Sequence, residues 1–332
     1  MTATRTTSGT RSRRSTTYGL LAAGAALALT ATACGTGEGE AADEGGLTPV
    51  SVGVLPITAV APLYLGVEQG LFEEQGLDVT IETGGGGATT VPRVVSGELD
   101  FAFGNVVSLI IAREQGLPLT VVANGMTTTG DADTDYSALV VPAGSAIESP
   151  ADLEDATVAI DNLQNIGDTS VRHSVRLDGG DPTGVDFVEL AFPDMVGAME
   201  TEQIDAAWVV EPFLTIAMRQ GATPIAANFV ELDPELSIAT YFTSDELIAS
   251  DPETVDAFTE AMNASLVHAQ DNPEETAGIL TEFTEIDAAV VDELRWPRFR
   301  PEIDRGALDT IADLMVTDGL IDSAPDLDTF IR

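Results

Sequence analysis

The sequence predicts an α/β protein made of two lobes and a helical C-terminal part. Three observations predict it. Short β-branched runs alternate with helical stretches from residue 50 onward. The alternation restarts near residue 138 and builds a second unit of similar size. From Ser244 on, helical patterns dominate. Strand and helix alternating at this pace give a parallel sheet with helices on its faces, and two such units leave a cleft between them.

The elements follow in order. A strand over 50–55 leads to an amphipathic helix over 62–69, closed by Gly70. A strand over 77–82 runs into Gly84-Gly85-Gly86-Gly87, and a short helix over 89–95 stops at Gly97. A strand over 99–103 ends at Gly104-Asn105. A helix over 106–115 stops at Gly116, and a strand over 119–123 completes the first unit. The second unit has strands at 138–141, 157–160, 185–190 and 206–210. A helical turn at 151–154 and helices at 168–177, 194–200 and 212–219 lie between and after them. After an extended stretch at 238–243, Ser250-Asp251-Pro252 and Asn272-Pro273 start two helices, and a late helix covers 304–316.

Composition narrows the function. The chain has 332 residues and a formal net charge of −41, from 55 acids against 14 bases, every one of them arginine. Such a chain repels phosphate backbones, so nucleic acid is excluded as a partner. The acids are spread along the chain rather than gathered in a tail, as solubility in a salty or acidic exterior requires.

The N-terminus reads as an export segment. Arg5, Arg11, Arg13 and Arg14 precede a Leu/Ala/Gly-rich run over 19–29, and Ala31, Thr32 and Ala33 lead into Cys34, the single cysteine. The run is shorter than the roughly 20 apolar residues a bilayer span needs. The layout predicts a signal peptide over 1–33, and Cys34 in this position resembles the acylated cysteine of bacterial lipoproteins. Arg13-Arg14 leaves Sec and twin-arginine export both open. Residues 34–46, with nothing to pack, suit a flexible tether. Loss of the four leading arginines, in a segment without acids, takes the net charge from −41 to −45. With no second cysteine, Cys34 has no disulfide partner.

Four blocks carry a resemblance. They are Pro62–Phe72 with Gln75–Val79, Val94–Ala102 with its Ser-Gly-Glu-Leu-Asp core, Ile204–Phe213, and Tyr241–Ser244 followed by Pro252–Phe258. Their order and spacing are similar to the solute-binding proteins of ABC importers for nitrate, sulfonate, taurine and thiamine-pyrimidine precursors. The resemblance spans about residues 50–332. It implies a type II periplasmic-binding-protein fold: two α/β lobes, a hinge of two crossovers, a central cleft and a helical C-terminal part. The implied lobes are 47–138 with 228–332, and 139–227. The implied partners are one small molecule and an ABC permease with its ATPase. The chain is expected to be monomeric, exported, and lipid-anchored to the outer face of the cytoplasmic membrane.

Ligands in open α/β sheets sit beyond the carboxyl ends of strands, which selects the stretches 56–58, 84–90, 104–105, 161–167 and 192–195 with Asn124 and Glu211, and the candidate residues among and near them. Thr58 follows the first strand. Thr89 and Thr90 follow the glycine run at a helix start, where free N–H groups favour ligand oxygens. Asn105 ends a strand and offers donor and acceptor, or caps the next helix. Asn124 ends another strand. Asn165 precedes the helix at Asp168, which itself suits a cap. Tyr64 fits an aromatic wall or a core position. Trp208 fits stacking on a flat ligand, or core. Glu211 fits a cleft acceptor for amines or ring N–H groups, or a helix-start acid.

These residues favour a flat, neutral or amine-bearing ligand such as a thiamine-type pyrimidine. An anion held by helix N-termini is the alternative. The related pyrimidine-synthesis enzymes share the fold but use a cysteine-rich site. Cys34 is the sole cysteine, and His173 and His268 lack nucleophile or metal-ligand spacing, so enzymatic activity, a metal and a cofactor are not expected. A sensor role, with the closed clamp read by a membrane kinase, is a third reading.

Overall fold

Valines at alternate positions make β1 (Thr48–Val54) the buried spine of the first sheet. The computed structural model describes residues 46–284 and 286–332. The expected signal segment, Cys34 and all of the tether but Gly46 lie outside the described residues. β2 (Leu77–Thr83), β3 (Phe101–Asn105) and β4 (Leu119–Thr127) join β1, and β10 (Ser237–Ser244) inserts antiparallel between β3 and β4, giving the order β2-β1-β3-β10-β4. β1 pairs in parallel with β2 in the register Thr48 to Leu77 through Val54 to Thr83.

The second sheet repeats the plan. β5 (Ser137–Val141), β6 (Thr157–Ile160), β7 (Asp186–Glu189), β8 (Ala206–Val210) and β9 (Thr223–Ala226) take the order β7-β6-β8-β5-β9, with β5 antiparallel to β8. In both sheets one late or early strand crosses from the other lobe and runs against its neighbours.

Helices follow their local chemistry. α1 (Ala61–Glu68), α2 (Gly87–Val95) and α3 (Val106–Glu114) belong to the first lobe. α4 (Ile166–Leu177), α5 (Phe192–Glu200), α6 (Phe213–Arg219) and α7 (Asn228–Leu232) belong to the second. Asn105 Oδ1 accepts from Ser108 N at 2.9 Å and starts α3. Asn165 and Asp168 form a reciprocal capping box on α4. The C-terminal part carries α8 (Asp245–Ser250), α9 (Pro252–Asp271), α10 (Pro273–Phe283), α11 (Ala288–Val291), α12 (Arg305–Thr317) and α13 (Leu327–Phe330). It packs on the first lobe: Phe258 of α9 stacks on Phe101 of β3 at 3.8 Å between centroids, and Ile331 bridges to Val121 of β4.

The sheets place the lobe boundaries differently from the sequence reading. Ser137 and Ala138 already pair with β8, and α7, expected in the first lobe, packs on α4 and β5. The crossovers are therefore 128–136 and 233–236. A third segment crosses beside them. Arg298 exchanges backbone hydrogen bonds with Thr127 at 2.9 and 3.0 Å, and Arg298 and Arg300 both pair with Glu235. Away from these segments, Arg176 of α4 forms an ion pair with Asp318 at the end of α12, joining the second lobe to a helix that also packs on α3.

Candidate functional site

A cavity of about 40 Å³ lies between the lobes, where the carboxyl ends of parallel strands from both sheets converge. The first lobe supplies Leu55 and Ile57 after β1, Gly86 and Gly87 at the start of α2, Phe103 and Asn105 of β3, Met126 of β4, and Ile238 and Ala239 of β10. The second supplies Asp161 after β6, Ile166 of α4, Phe192 of α5, Trp208 and Val210 of β8, and Phe229 of α7. Ligand sites usually span about 300–1,000 Å³. The lobes are thus drawn together, and a ring-sized molecule requires them to part about the crossovers.

Outside the cavity, an apolar interlobe groove of about 610 Å³ runs past Pro56, Pro193, Pro212, Phe213 and Phe283. Phe192, facing the cavity, stacks on Phe213, facing the groove, with centroids 5.6 Å apart at 15°. That pair and the chain at 55–57 form the wall between the two spaces.

Aromatic rings dominate the second lobe's wall. Trp208 lies 5.5 Å from Phe192 and 5.7 Å from Phe229 between centroids. Its Nε1–H donates to Ser137 Oγ at 2.9 Å, so its polar edge is satisfied in the lobe and its rings make the cavity wall. Trp208 is both core and lining residue. A methyl group at Gly167 would sit 2.8 Å from Trp208 Cε3, so the glycine lets α4 start against the indole.

Asp161 is the acid of the cavity; in the sequence reading it counts only as the first residue of the strand-end stretch 161–167, with no role of its own. Its Oδ1 accepts from Asn165 Nδ2 at 3.0 Å. Its Oδ2 faces the other lobe, where a methyl on Gly86 would lie 3.7 Å away. The residue keeps some exposed surface, but its carboxyl is desolvated. Burial and the nearby Glu189 push its pKa up to about 7, against the hydrogen bonds from Asn162 and Asn165. Position after a strand was the available signal for Asp161 and for Phe192.

The structure distributes the candidate residues over three places. Asn105 and Trp208 line the cavity. Asn105 serves as helix cap through Oδ1. Asn165 is spent on Gly167 N and on Asp161, and so positions the acid rather than meeting a ligand. The N–H groups at the start of α4 are met by Asn165 and Asp168, whereas α2 begins at Gly86 with no side-chain cap.

Thr58 and Glu211 form an interlobe joint instead of cleft contacts. Thr58 Oγ1 donates to the Glu211 carbonyl at 3.3 Å. The Glu211 carboxylate is fully buried and accepts from Thr215 Oγ1 at 2.8 Å, Thr215 N at 3.1 Å and Arg295 N at 3.1 Å. Burial raises its pKa, and the Arg295 and Thr215 bonds oppose the rise.

The remaining four point elsewhere. Tyr64 stacks on Phe283 at 3.9 Å and shares a hydrogen bond with Thr83. Thr89 and Thr90 turn their hydroxyls back to the Gly86 carbonyl. Asn124 is buried, and its Nδ2 donates to Arg300 O, Glu302 O and Thr127 Oγ1, holding the C-terminal segment. None of the four is among the residues lining the cavity, and a nearer partner engages a polar side-chain atom of each.

Every arginine among the described residues is engaged within the chain. Arg93, Arg113, Arg176, Arg219, Arg298, Arg300, Arg305 and Arg332 form ion pairs. Arg172 lies over Phe187, and Arg295 donates to Asp135 O. None lines the cavity.

Comparison with known proteins agrees with this architecture. The chain is similar to a formylaminopyrimidine-binding protein of Halalkalibacterium halodurans, 23% identical over 223 residues, covering 66% of this chain and 64% of that one. The match thus spans just under two thirds of that relative's length. Among solved structures, the ligand-binding component of an ABC-type import system from Staphylococcus aureus aligns with a TM-score of 0.74 at 16% identity, over 86% of this chain and 96% of that one. The periplasmic aliphatic sulphonate binding protein of Escherichia coli aligns at 0.69 and 16%, over 86% and 92%. These likenesses establish the two-lobed periplasmic-binding-protein fold. Residues 57–276 match the family described as NMT1/THI5 like, and the chain belongs to that family.

Proposed function

We propose that this chain is a solute-binding protein that closes on one small molecule and delivers it to an ABC-type permease and ATPase. The observation that carries the reading is the interlobe cavity, walled by strand ends of both lobes and set beside two crossovers that allow hinge motion. The ligand of this reading is a flat nitrogen heterocycle of the thiamine-pyrimidine type. Aromatic walls, Asn105 and Asp161, and the formylaminopyrimidine-binding relative support it. The uncapped start of α2 at the cavity and the sulphonate-binding neighbour favour a second reading, an anion. The absence of arginine from the lining weighs against that second reading.

The reading is non-enzymatic. His173 Nε2 meets the Glu231 carbonyl and His268 meets Glu275, both away from the cavity. Export, anchoring through Cys34 and a monomeric state complete the proposal. They rest on the sequence alone.

A thermal-shift screen against pyrimidines, taurine, alkanesulfonates and nitrate tests this reading. A ligand at a hundred times its Kd adds about 2.7 kcal/mol, raising the midpoint by about 4–5 °C. Stabilisation by a pyrimidine is the expected result. Stabilisation by taurine or nitrate alone would replace the heterocycle with an anion.

A further inference from the structure

A buried carboxylate in a protein is paired or gives up its charge. Among the described residues, no cationic side chain lines the cavity beside Asp161. The groups that face it are Asn165 and Asp168 of α4, with Arg172 drawn to Asp168, Glu189 of β7, and the start of α2 across the cleft. The charged side chains among these add negative potential or are already matched. The start of α2 contributes only the partial charge of a helix end. The rings of Phe103, Phe192, Trp208 and Phe229 line the same cavity. Aromatic faces combined with one acid attract an organic cation, through the ring quadrupoles and the carboxylate together. The rest of the molecule agrees: its net charge of −41 concentrates cations and disperses anions.

We infer that Asp161 is the specificity-determining residue of the cleft, and that it selects a ligand whose flat ring bears a protonated amine, serving as that cation's counter-ion. Asn165 is a positioning residue that fixes the carboxyl through Oδ1 and leaves Oδ2 for the ligand. This inference rests on the solute-receptor reading and adds the charge of the ligand to it. It also sets the direction of proton coupling. Asp161 must be ionised to serve, so binding a cation expels its proton and tightens as pH rises toward the carboxyl's value of about 7.

The test is calorimetric titration with three compounds on one aminopyrimidine ring, bearing an aminomethyl, a hydroxymethyl or a carboxylate group. Taking affinity ratios cancels titration of the shared ring. The aminomethyl compound is expected to bind at least tenfold more tightly than the hydroxymethyl one at pH 8, and the ratio to shrink as pH falls from 7 to 5.5. Asp161→Asn is expected to abolish the preference for the aminomethyl over the hydroxymethyl compound. The pH dependence of the unaltered protein is read independently of whether that variant folds. Equal binding of the charged and neutral compounds, or tighter binding of the carboxylate, overturns the inference and leaves the receptor reading standing. Failure of all three, with a sulfonate or nitrate binding instead, does the same. Failure of every compound overturns both.

Discussion

The main-chain N–H of Arg295 donates to Glu211 Oε1 at 3.1 Å, tying the C-terminal segment to the end of β8 in the other lobe. With the Thr58 hydroxyl on the Glu211 carbonyl, this one residue joins three stretches of chain at the hinge. Arg295 reaches further, its Nη1 donating to Asp135 O in the first crossover at 3.0 Å. Glu211 is therefore a structural brace. Replacing it with alanine strands the Thr215 and Arg295 donors in a buried site and is expected to cost about 2–4 kcal/mol in urea unfolding. Glu211→Gln is expected to cost about 1 kcal/mol and to leave ligand selectivity unchanged. A change in ligand preference in the glutamine variant would return Glu211 to the pocket.

Gly167→Ala pushes a methyl group against the Trp208 ring. The indole is anchored at Ser137, so it yields toward the cavity. Ligand affinity is expected to fall at least tenfold in a calorimetric titration, with a stability loss of about 1–3 kcal/mol from overpacking. Unaltered affinity would mean that Trp208 does not wall the binding space.

Stability is expected to fall as pH rises from 5 to 7.5. Unfolded aspartates titrate near 3.9. In the folded chain Asp135, buried against the start of α7, rises to about 6, and Asp161 to about 7. Across that interval the folded state holds more protons than the unfolded one, so the penalty is absent below about 4 and complete above about 7. Urea unfolding is expected to give about 3–4 kcal/mol more stability at pH 5 than at 7.5, with a smaller difference for Asp161→Asn. A rise in stability over that interval would contradict the assignment.

The Arg176–Asp318 pair joins the lobes, and the Asp318 side chain is only 5% exposed. Asp318→Asn leaves the guanidinium without its counter-ion and is expected to favour the open form. Small-angle scattering would then give a larger radius of gyration without ligand, and binding would weaken through faster dissociation. An unchanged radius would show that the pair is not a closing contact.

Much of the architecture was legible in the sequence because the periodicities are local. Each strand of the two sheets except Thr223–Ala226 was anticipated, and so were the starts at Asn105 and Asp251. The site was less legible for a physical reason. Strand-end position located 161–167, but local bonding decides which polar atom faces the cleft. Asn165 and Asp168 turn onto their own helix start, and Asn165 also holds the Asp161 carboxyl at the cavity. Glu211 was misplaced because its partner Arg295 lies 84 residues away, and no local pattern announces that return. Asn124 was lost in the same way to Arg300 and Glu302.

Trp208 and Trp296 are the chain's two tryptophans, and Trp208 alone lines the cavity. In a Trp296→Phe background, emission from Trp208 reports directly on whether a small molecule enters between the lobes. Saturable change with a one-to-one ligand, displaced to at least tenfold higher concentration in Gly167→Ala, is the predicted result. Tight binding of a ligand that leaves the emission of Trp208 unaltered would contradict the clamp.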